Sequence, residues 1–450
     1  MTMSRRGHAV WAAFLWPAGH HHAAWRLPDS RSDEVHSLDM YLEMARTAER
    51  GKLDVVFLGD LLAMWPLPRD LLARTSRAAR FEPITVLGAM AAVTERIGLV
   101  ATASTSFNEP FTIARQFGSL DHMSGGRTGW NVVTSFTDDQ ARNYGLDKLP
   151  ERKVRYAQAQ EFLDVVKGLW DSYDDDAVLR DKESGQYFDP AKLHALEHDG
   201  DHYRVAGPLN MWRPPQGHPV VFQAGASDEG AAFAAANGEV LFTVAPSIER
   251  ARQYYRKVKD LAADMGRDPD HIKVLASLNP VLGPTDAAAQ ERFDQLQSLL
   301  DGDVATALAG HYFGIDLTKY PLDEPVPEIE LVDSGHSMPR AHQQFMLNKS
   351  RDEGLTMRQL VTGFCGLGLY PAGPESAADR FEEWFEAEAC DGFVLQFSHL
   401  PEGLTDFVDL VVPILQQRGL LRTEYRGRTL REHLGLPRPA SRYTPVEARR

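Results

Sequence analysis

The residues best placed to do chemistry are concentrated in Ser124-Gly-Gly-Arg-Thr-Gly-Trp-Asn-Val-Val-Thr-Ser135. Asn131, Thr134 and Ser135 close a short apolar run, and the paired glycines before it turn the chain out of a helix built on Phe111, Ile113, Phe117 and Leu120. A carboxamide and two hydroxyls at the end of a buried strand can orient a polar ligand, because ligands of parallel α/β folds sit beyond the carboxyl ends of strands. The same residues also fit a plain helix-turn-strand unit with no ligand. Other apolar runs end in similar groups: His20–His22, Asp60, Thr102, Ser104, Gln223 and Ser227. The collection is mostly neutral and polar, with no Ser-His-Asp or Cys-His set.

Two further clusters suggest an anion. Gln223-Ala-Gly-Ala-Ser227 precedes a helix, where small residues admit a phosphate to free backbone N–H groups; an ordinary serine N-cap reads the same way. Arg152, Lys153, Arg155 and Tyr156 open the long helix that follows the first motif, where cations oppose the helix dipole. They either hold an anion or form a solvated face. His20 and His22 match the H-x-H of barrel metal hydrolases, but strands five and six end in Gln223 and in Ala245-Pro246, so the remaining ligands are missing.

These groups need a scaffold, and apolar runs alternate with helical patterns along the chain. Strands are predicted at Val10–Leu15, Leu53–Leu58, Ile97–Ala101, around Trp130, and at Val220–Gln223, Val240–Val244, Ile272–Leu278 and Phe393–Phe397. A helix Ala287–Leu300 is placed behind the seventh strand. Eight strand-helix pairs predict an α/β fold, a (β/α)8 TIM barrel in a single domain over 1–450. Residues 171–219, rich in Asp, Gly, Pro and His, form an excursion of turns or short strands. Residues from about 279 to 375 form a lid-like insertion after strand seven, and the charged tail 421–450 wraps a neighbouring subunit or is disordered.

Composition narrows the partners. The 450 residues carry a net charge of −15, which argues against nucleic acid or an anionic membrane. The two cysteines, Cys365 and Cys390, are far apart and fit a reducing, cytoplasmic setting. The apolar run from Val10 to Trp16 is too short and too close to His20–His22 for a signal peptide, and no run is long enough for a membrane span.

Together the residues resemble the bacterial-luciferase-like flavin monooxygenases, within them the group acting on nitrilotriacetate, EDTA, dibenzothiophene sulfone and long-chain alkanes. The markers run in order from His22-Ala-Ala-Trp25-Arg and Phe57-Leu-Gly-Asp60 through Leu120-Asp-His-Met-Ser-Gly-Gly-Arg127 and Trp130-Asn-Val-Val-Thr-Ser135 to Gln216-Gly-His-Pro-Val220 and Gln223-Ala-Gly-Ala-Ser227. The resemblance spans about His8 to Leu436. It implies a barrel that binds reduced FMN, delivered by a separate NAD(P)H-dependent flavin reductase, and uses O2 to oxygenate a small molecule. Asp60 and Thr102 would lie along the flavin ring and ribityl chain. Arg152, where relatives often have His, would hold the phosphate with Tyr156 and Ser227. His22 would face the substrate, Asn131 and Ser135 would line the pocket floor, and no metal is implied. A homodimer or homotetramer is implied as well.

The alternatives are a metal-dependent barrel hydrolase built on His20 and His22, and a flavin-binding protein without turnover. A deazaflavin in place of FMN is a variant of the first reading. Phe136 stands where the alkane member has His. With Trp65, Phe107, Tyr312 and Phe313 it hints at an apolar or aromatic substrate, one that could also contain sulfur or nitrogen.

Overall fold

The computed structural model describes residues 7–16, 18–224, 228–331, 340–365 and 368–444. Eight parallel strands close a barrel: β1 (Val10–Leu15), β2 (Val55–Leu58), β3 (Gly98–Ser104), β4 (Thr128–Val133), β5 (Val220–Ala224), β6 (Val240–Thr243), β7 (Lys273–Ser277) and β8 (Gly392–Gln396). Each pairs with its sequence neighbour, and β8 closes on β1 with Val10 opposite Gly392. These are the runs predicted from sequence, and the fold is the expected TIM barrel.

Alternation along each strand divides the core. Trp11 and Leu15 of β1 and Trp130 and Val132 of β4 pack outward among the helices, whereas Val10, Val55, Val100, Phe222 and Val394 fill the barrel. Helix Pro110–Ser124 stops at Gly125, whose φ of +69° caps it in the left-handed region.

Two segments differ from expectation. Helix Asp286–Ser298 does not cover the barrel; with strands Asn279–Leu282 and Leu369–Ala372, which pair in parallel, it belongs to the insertion between β7 and β8. The helix that covers the barrel there is Pro374–Glu386, whose Phe381 meets Trp11 and Phe393 edge-on at 5.0 and 4.8 Å. Pro374–Glu386 is the more clearly amphipathic of the two, burying Ala377, Ala378, Phe381, Trp384 and Phe385 where Asp286–Ser298 buries only Ala289 and Leu296, and periodicity does not say which sheet a helix covers. Within the insertion, helices Gly302–Phe313, Arg340–Asp352 and Met357–Cys365 share a second apolar cluster, which Trp65, Leu67 and Leu71 join from the loop after β2. Residues 171–219 include a small antiparallel pair, His198–Asp199 with Arg204–Val205.

The tail, expected on a neighbour or disordered, closes its own barrel from below as far as Thr444. Leu430, Leu434 and Leu436 join Val10, Val55, Val220 and Val240 in one cluster. Arg431 donates to both oxygens of Glu239 at 2.7 and 3.0 Å. Three leucines among charges make too short a pattern to stand out in sequence.

Candidate functional site at the carboxyl ends of the strands

The two ends of the barrel divide the sequence motifs between them. Leu120–Arg127 and Gln216–Val220 lie at the amino-terminal end and hold the fold together. Asp121 accepts hydrogen bonds from the backbone N–H of Thr128 and from Gln216 Nε2, at 3.2 and 2.7 Å. Arg127 donates to the carbonyls of Ser124, Ile97, Ala91 and Thr94 and to the Thr94 hydroxyl.

At the carboxyl end, β3 and β4 bring four of the expected groups together. Thr102 lies opposite Asn131 in the register, and Asn131 Nδ2 donates to Thr102 Oγ1 at 2.9 Å. Asn131 Oδ1 is buried and has no donor. The hydroxyls of Ser104 and Ser135 are 2.8 Å apart. Ser135 has a φ of +57°, a conformation that costs a non-glycine residue energy and is held here from outside. The clamp is Arg155, which donates to the carbonyls of Thr134 and Ser135. Arg155 therefore fixes the end of β4, which accounts for one of the cations opening the long helix.

The loop after β1 carries His20–His22, all buried. The His20 ring stands 4.6 Å from Phe14, and neither of its nitrogens has a partner. The His22 ring lies 6.4 Å from Trp65, with Nδ1 unpartnered. Burial, aided by the Arg77 cation, lowers the pKa of His20 and His22 well below the usual histidine value and that of His21 to about 4. All three rings are neutral at pH 7. Among the described residues, no group of three or more His, Cys, Asp or Glu is arranged to hold a metal ion.

Asp60 ends the segment after β2, but it is engaged. Its Oδ1 accepts from Leu61 N–H at 2.8 Å and from Arg80 Nε at 3.2 Å. Burial raises its pKa, and Arg80 opposes that shift. On the far side of the mouth, helices Arg152–Trp170 and Asp228–Asn237 bring their first turns together. Arg152 is 4.0 Å from Glu229, and the rings of Tyr156 and Phe233 are 5.6 Å apart. Ser227 lies outside the described residues. Gln223 alternates with the inward Phe222, so it shares the outward face with Val221 rather than lining the barrel; its Oε1 is buried without a donor.

Sequence reasoning missed two groups here. His399, in the loop after β8, accepts or donates through Nδ1 to Ser398 Oγ at 2.9 Å, leaves Nε2 buried and unpartnered, and has its pKa lowered to about 4 by burial. Arg77, from the loop after β2, is 3% exposed and donates to the His20 carbonyl. Neither sits in a periodic or glycine-rich pattern, so nothing in the sequence separates them from solvated loop residues.

A TIM barrel whose mouth gathers aromatic rings, neutral imidazoles, uncharged hydrogen-bonding groups and a few arginines, with no nucleophile-base set, fits an enzyme that borrows its reactive group from a cofactor. The family described as luciferase-like monooxygenase matches residues 14–389, and the chain belongs to it. It is 46% identical to the N-acetyl-S-(2-succino)cysteine monooxygenase of Bacillus subtilis (strain 168), over 96% of this chain and 97% of that one. It is 43% identical to nitrilotriacetate monooxygenase component A of Aminobacter aminovorans, over 94% and 95% of the two chains. The crystal structure of DmoA from Hyphomicrobium sulfonivorans superposes with a TM-score of 0.87 at 33% identity, covering 95% of this chain and 92% of that one. The protein is a flavin-dependent monooxygenase of the two-component, reduced-FMN type, and these findings give no support to the metal hydrolase. Among the described residues no helix is long and apolar enough to cross a membrane.

Proposed function

We propose that the mouth of the barrel holds reduced FMN over Thr102 and Asn131, that an NAD(P)H-dependent flavin reductase delivers it, and that a small organic substrate is oxygenated on the His22 side. The observation that carries this reading is the Asn131 carboxamide. One end is tied to Thr102, and the other is a buried acceptor with no donor. Such an orphan costs about 1–3 kcal/mol, and a donor on the bound flavin would satisfy it.

The bound flavin supplies the activation of O2, which no side chain here can perform. The protein binds, orients and excludes water. Thr102 and Asn131 fix the ring and ribityl chain, with Asp60 holding Arg80 beside them. Arg152, Tyr156 and Ser227 take the phosphate where two helix N-termini meet, and Glu229 offsets part of the Arg152 charge. His22, neutral at pH 7, offers the substrate a hydrogen bond rather than a charge. Ser135 and Asn131 form the floor, and the insertion packed on the Trp65 loop keeps water out.

Anaerobic titration of reduced FMN tests the reading. Replacing Asn131 with Leu is expected to weaken binding by about tenfold, the value of roughly one good hydrogen bond. Affinity equal to that of the unmodified protein would remove Asn131 from the flavin site.

A further inference from the structure

Among the described residues, Arg77 is a buried cation without a counter-ion. It is 3% exposed. Its guanidinium makes one hydrogen bond, to the His20 carbonyl, and Nε is buried with no acceptor. No carboxylate among the described residues lies within ion-pair distance of it. The neighbouring cation, Arg80, is matched by Asp60 at 3.2 Å, so that carboxylate is already used. The guanidinium lies 4.9 Å from the Trp16 ring centre and 5.8 Å from that of Trp65, in an aromatic slot whose two indoles stand nearly perpendicular, at 78°. The imidazoles beside it, His20 and His22, are neutral and keep unpartnered nitrogens.

A buried charge is ordinarily paired, because removing it from water otherwise costs several kcal/mol. An arginine fork, here flanked by two indoles, matches a carboxylate through two parallel hydrogen bonds. Burial lowers the Arg77 pKa to about 9, which leaves it charged at pH 7. The slot adjoins His22 and Trp65 at the same end of the barrel as Asn131.

We propose that Arg77 anchors a carboxylate of the substrate, so that the molecule oxygenated at the barrel mouth is an organic acid whose carbon chain lies along Trp16 and Trp65. This rests on reading the mouth as the oxygenation site. It limits the earlier aromatic and apolar hints to the body of the substrate and gives that body one anionic end.

The test uses the flavin-free protein and two matched pairs of probes, succinate with succinamide and phenylacetate with phenylacetamide. Binding is read by tryptophan fluorescence and by the shift in melting temperature. At least one acid is expected to bind about tenfold or more tightly than its amide, the size of a charge-assisted pair. Arg77→Met is expected to abolish that preference without lowering the melting temperature of the free protein, because it removes an unpaired buried charge. Arg77→Lys keeps the charge but loses the fork, and is expected to retain a weaker preference. The proposal is overturned if neither acid is preferred over its amide, or if the preference survives in Arg77→Met. Arg77→Met could instead lose affinity for FMN but not for riboflavin; the guanidinium would then belong to the flavin phosphate, and the proposal would fall. Failure of the flavin reading looks different: the unmodified protein would prefer the acids yet bind no reduced FMN.

Discussion

Arg127 and Arg77 are almost equally hidden, at 2% and 3% exposure, and they sit at opposite ends of the barrel. Every N–H of the Arg127 guanidinium is used, in five hydrogen bonds to four carbonyls and a hydroxyl. Arg77 uses one and leaves Nε with nothing. Burial lowers the pKa of both, so solvent exclusion does not separate them. What separates them is satisfaction. The amino-terminal end is a closed hydrogen-bonding system sealed by Leu430 and Leu434, with the unpartnered ring of His433 as its exception. The carboxyl end collects orphans: both nitrogens of His20, one each of His22 and His399, Asn131 Oδ1 and Arg77 Nε. Buried polar groups are normally paired, so a concentration of unpaired ones marks the end where something else binds.

The largest expected effect breaks the satisfied end. Arg127→Met strands five acceptors at once, and unfolding in urea should show a loss of at least about 3 kcal/mol, since each buried orphan costs about 1–3 kcal/mol. Flavin affinity of the folded fraction should not change. A loss below 1 kcal/mol would mean that water reaches those carbonyls and that the two ends do not differ in kind.

Acid should act mainly on the other end. His21 and His399 titrate near 4 in the folded protein, against 6.5 when unfolded. Between those values the unfolded chain binds more protons than the native one, so stability rises with pH through that window. Their contribution is complete above about pH 6.5 and is lost as pH falls toward 4, by about 1.4 kcal/mol per pH unit for each ring acting alone. His20 and His22 are shifted in the same direction. His433 adds a single contribution of this kind in the tail. Melting temperatures from pH 7.5 to 5 should fall, and His399→Gln should flatten that fall. An acid limb unchanged in His399→Gln would place the lability elsewhere.

The contrast also explains what the sequence made legible. The eight strands could be read because most centre on a short apolar run bounded by turn residues. Thr102, Ser104, Asn131 and Ser135 could be read because they end such runs, and the β3–β4 register then brings them together. Position along a strand does not reveal which way its last residue points: Gln223 ends an apolar run just as Thr102 and Asn131 belong to theirs, yet it faces outward. The Gly-Gly-Arg and Gln-Gly-His-Pro segments were as visible as Trp130–Ser135, yet they serve the opposite end of the barrel. A motif shows that a residue is constrained, and only the fold shows whether the constraint is a partner or a ligand. Arg77 was illegible for the same reason: in Arg74-Thr-Ser-Arg-Ala-Ala-Arg80 nothing announces that the middle arginine turns inward while Arg74 pairs with Asp301 at 3.1 Å on the surface.

The smallest expected effect sharpens the comparison most, because it asks the same chemical question at both ends. Thr94→Val removes one acceptor from Arg127, and Thr102→Val removes the acceptor of Asn131 Nδ2; the bonds are each 2.9 Å long and buried. Valine preserves the volume, so each variant should lose about 1 kcal/mol of stability in the flavin-free protein. Their effects on reduced FMN should part. Arg127 keeps its backbone carbonyls after Thr94→Val and nothing at the mouth moves, so affinity should be unchanged. After Thr102→Val the Asn131 carboxamide is free to rotate, and the orphaned acceptor is no longer held in place for the ring, so affinity should fall a few-fold. Equal losses of affinity in the two variants would show that the ends are coupled through β3 and β4. The orphans at the mouth would then reflect strain transmitted along the barrel, not an absent ligand.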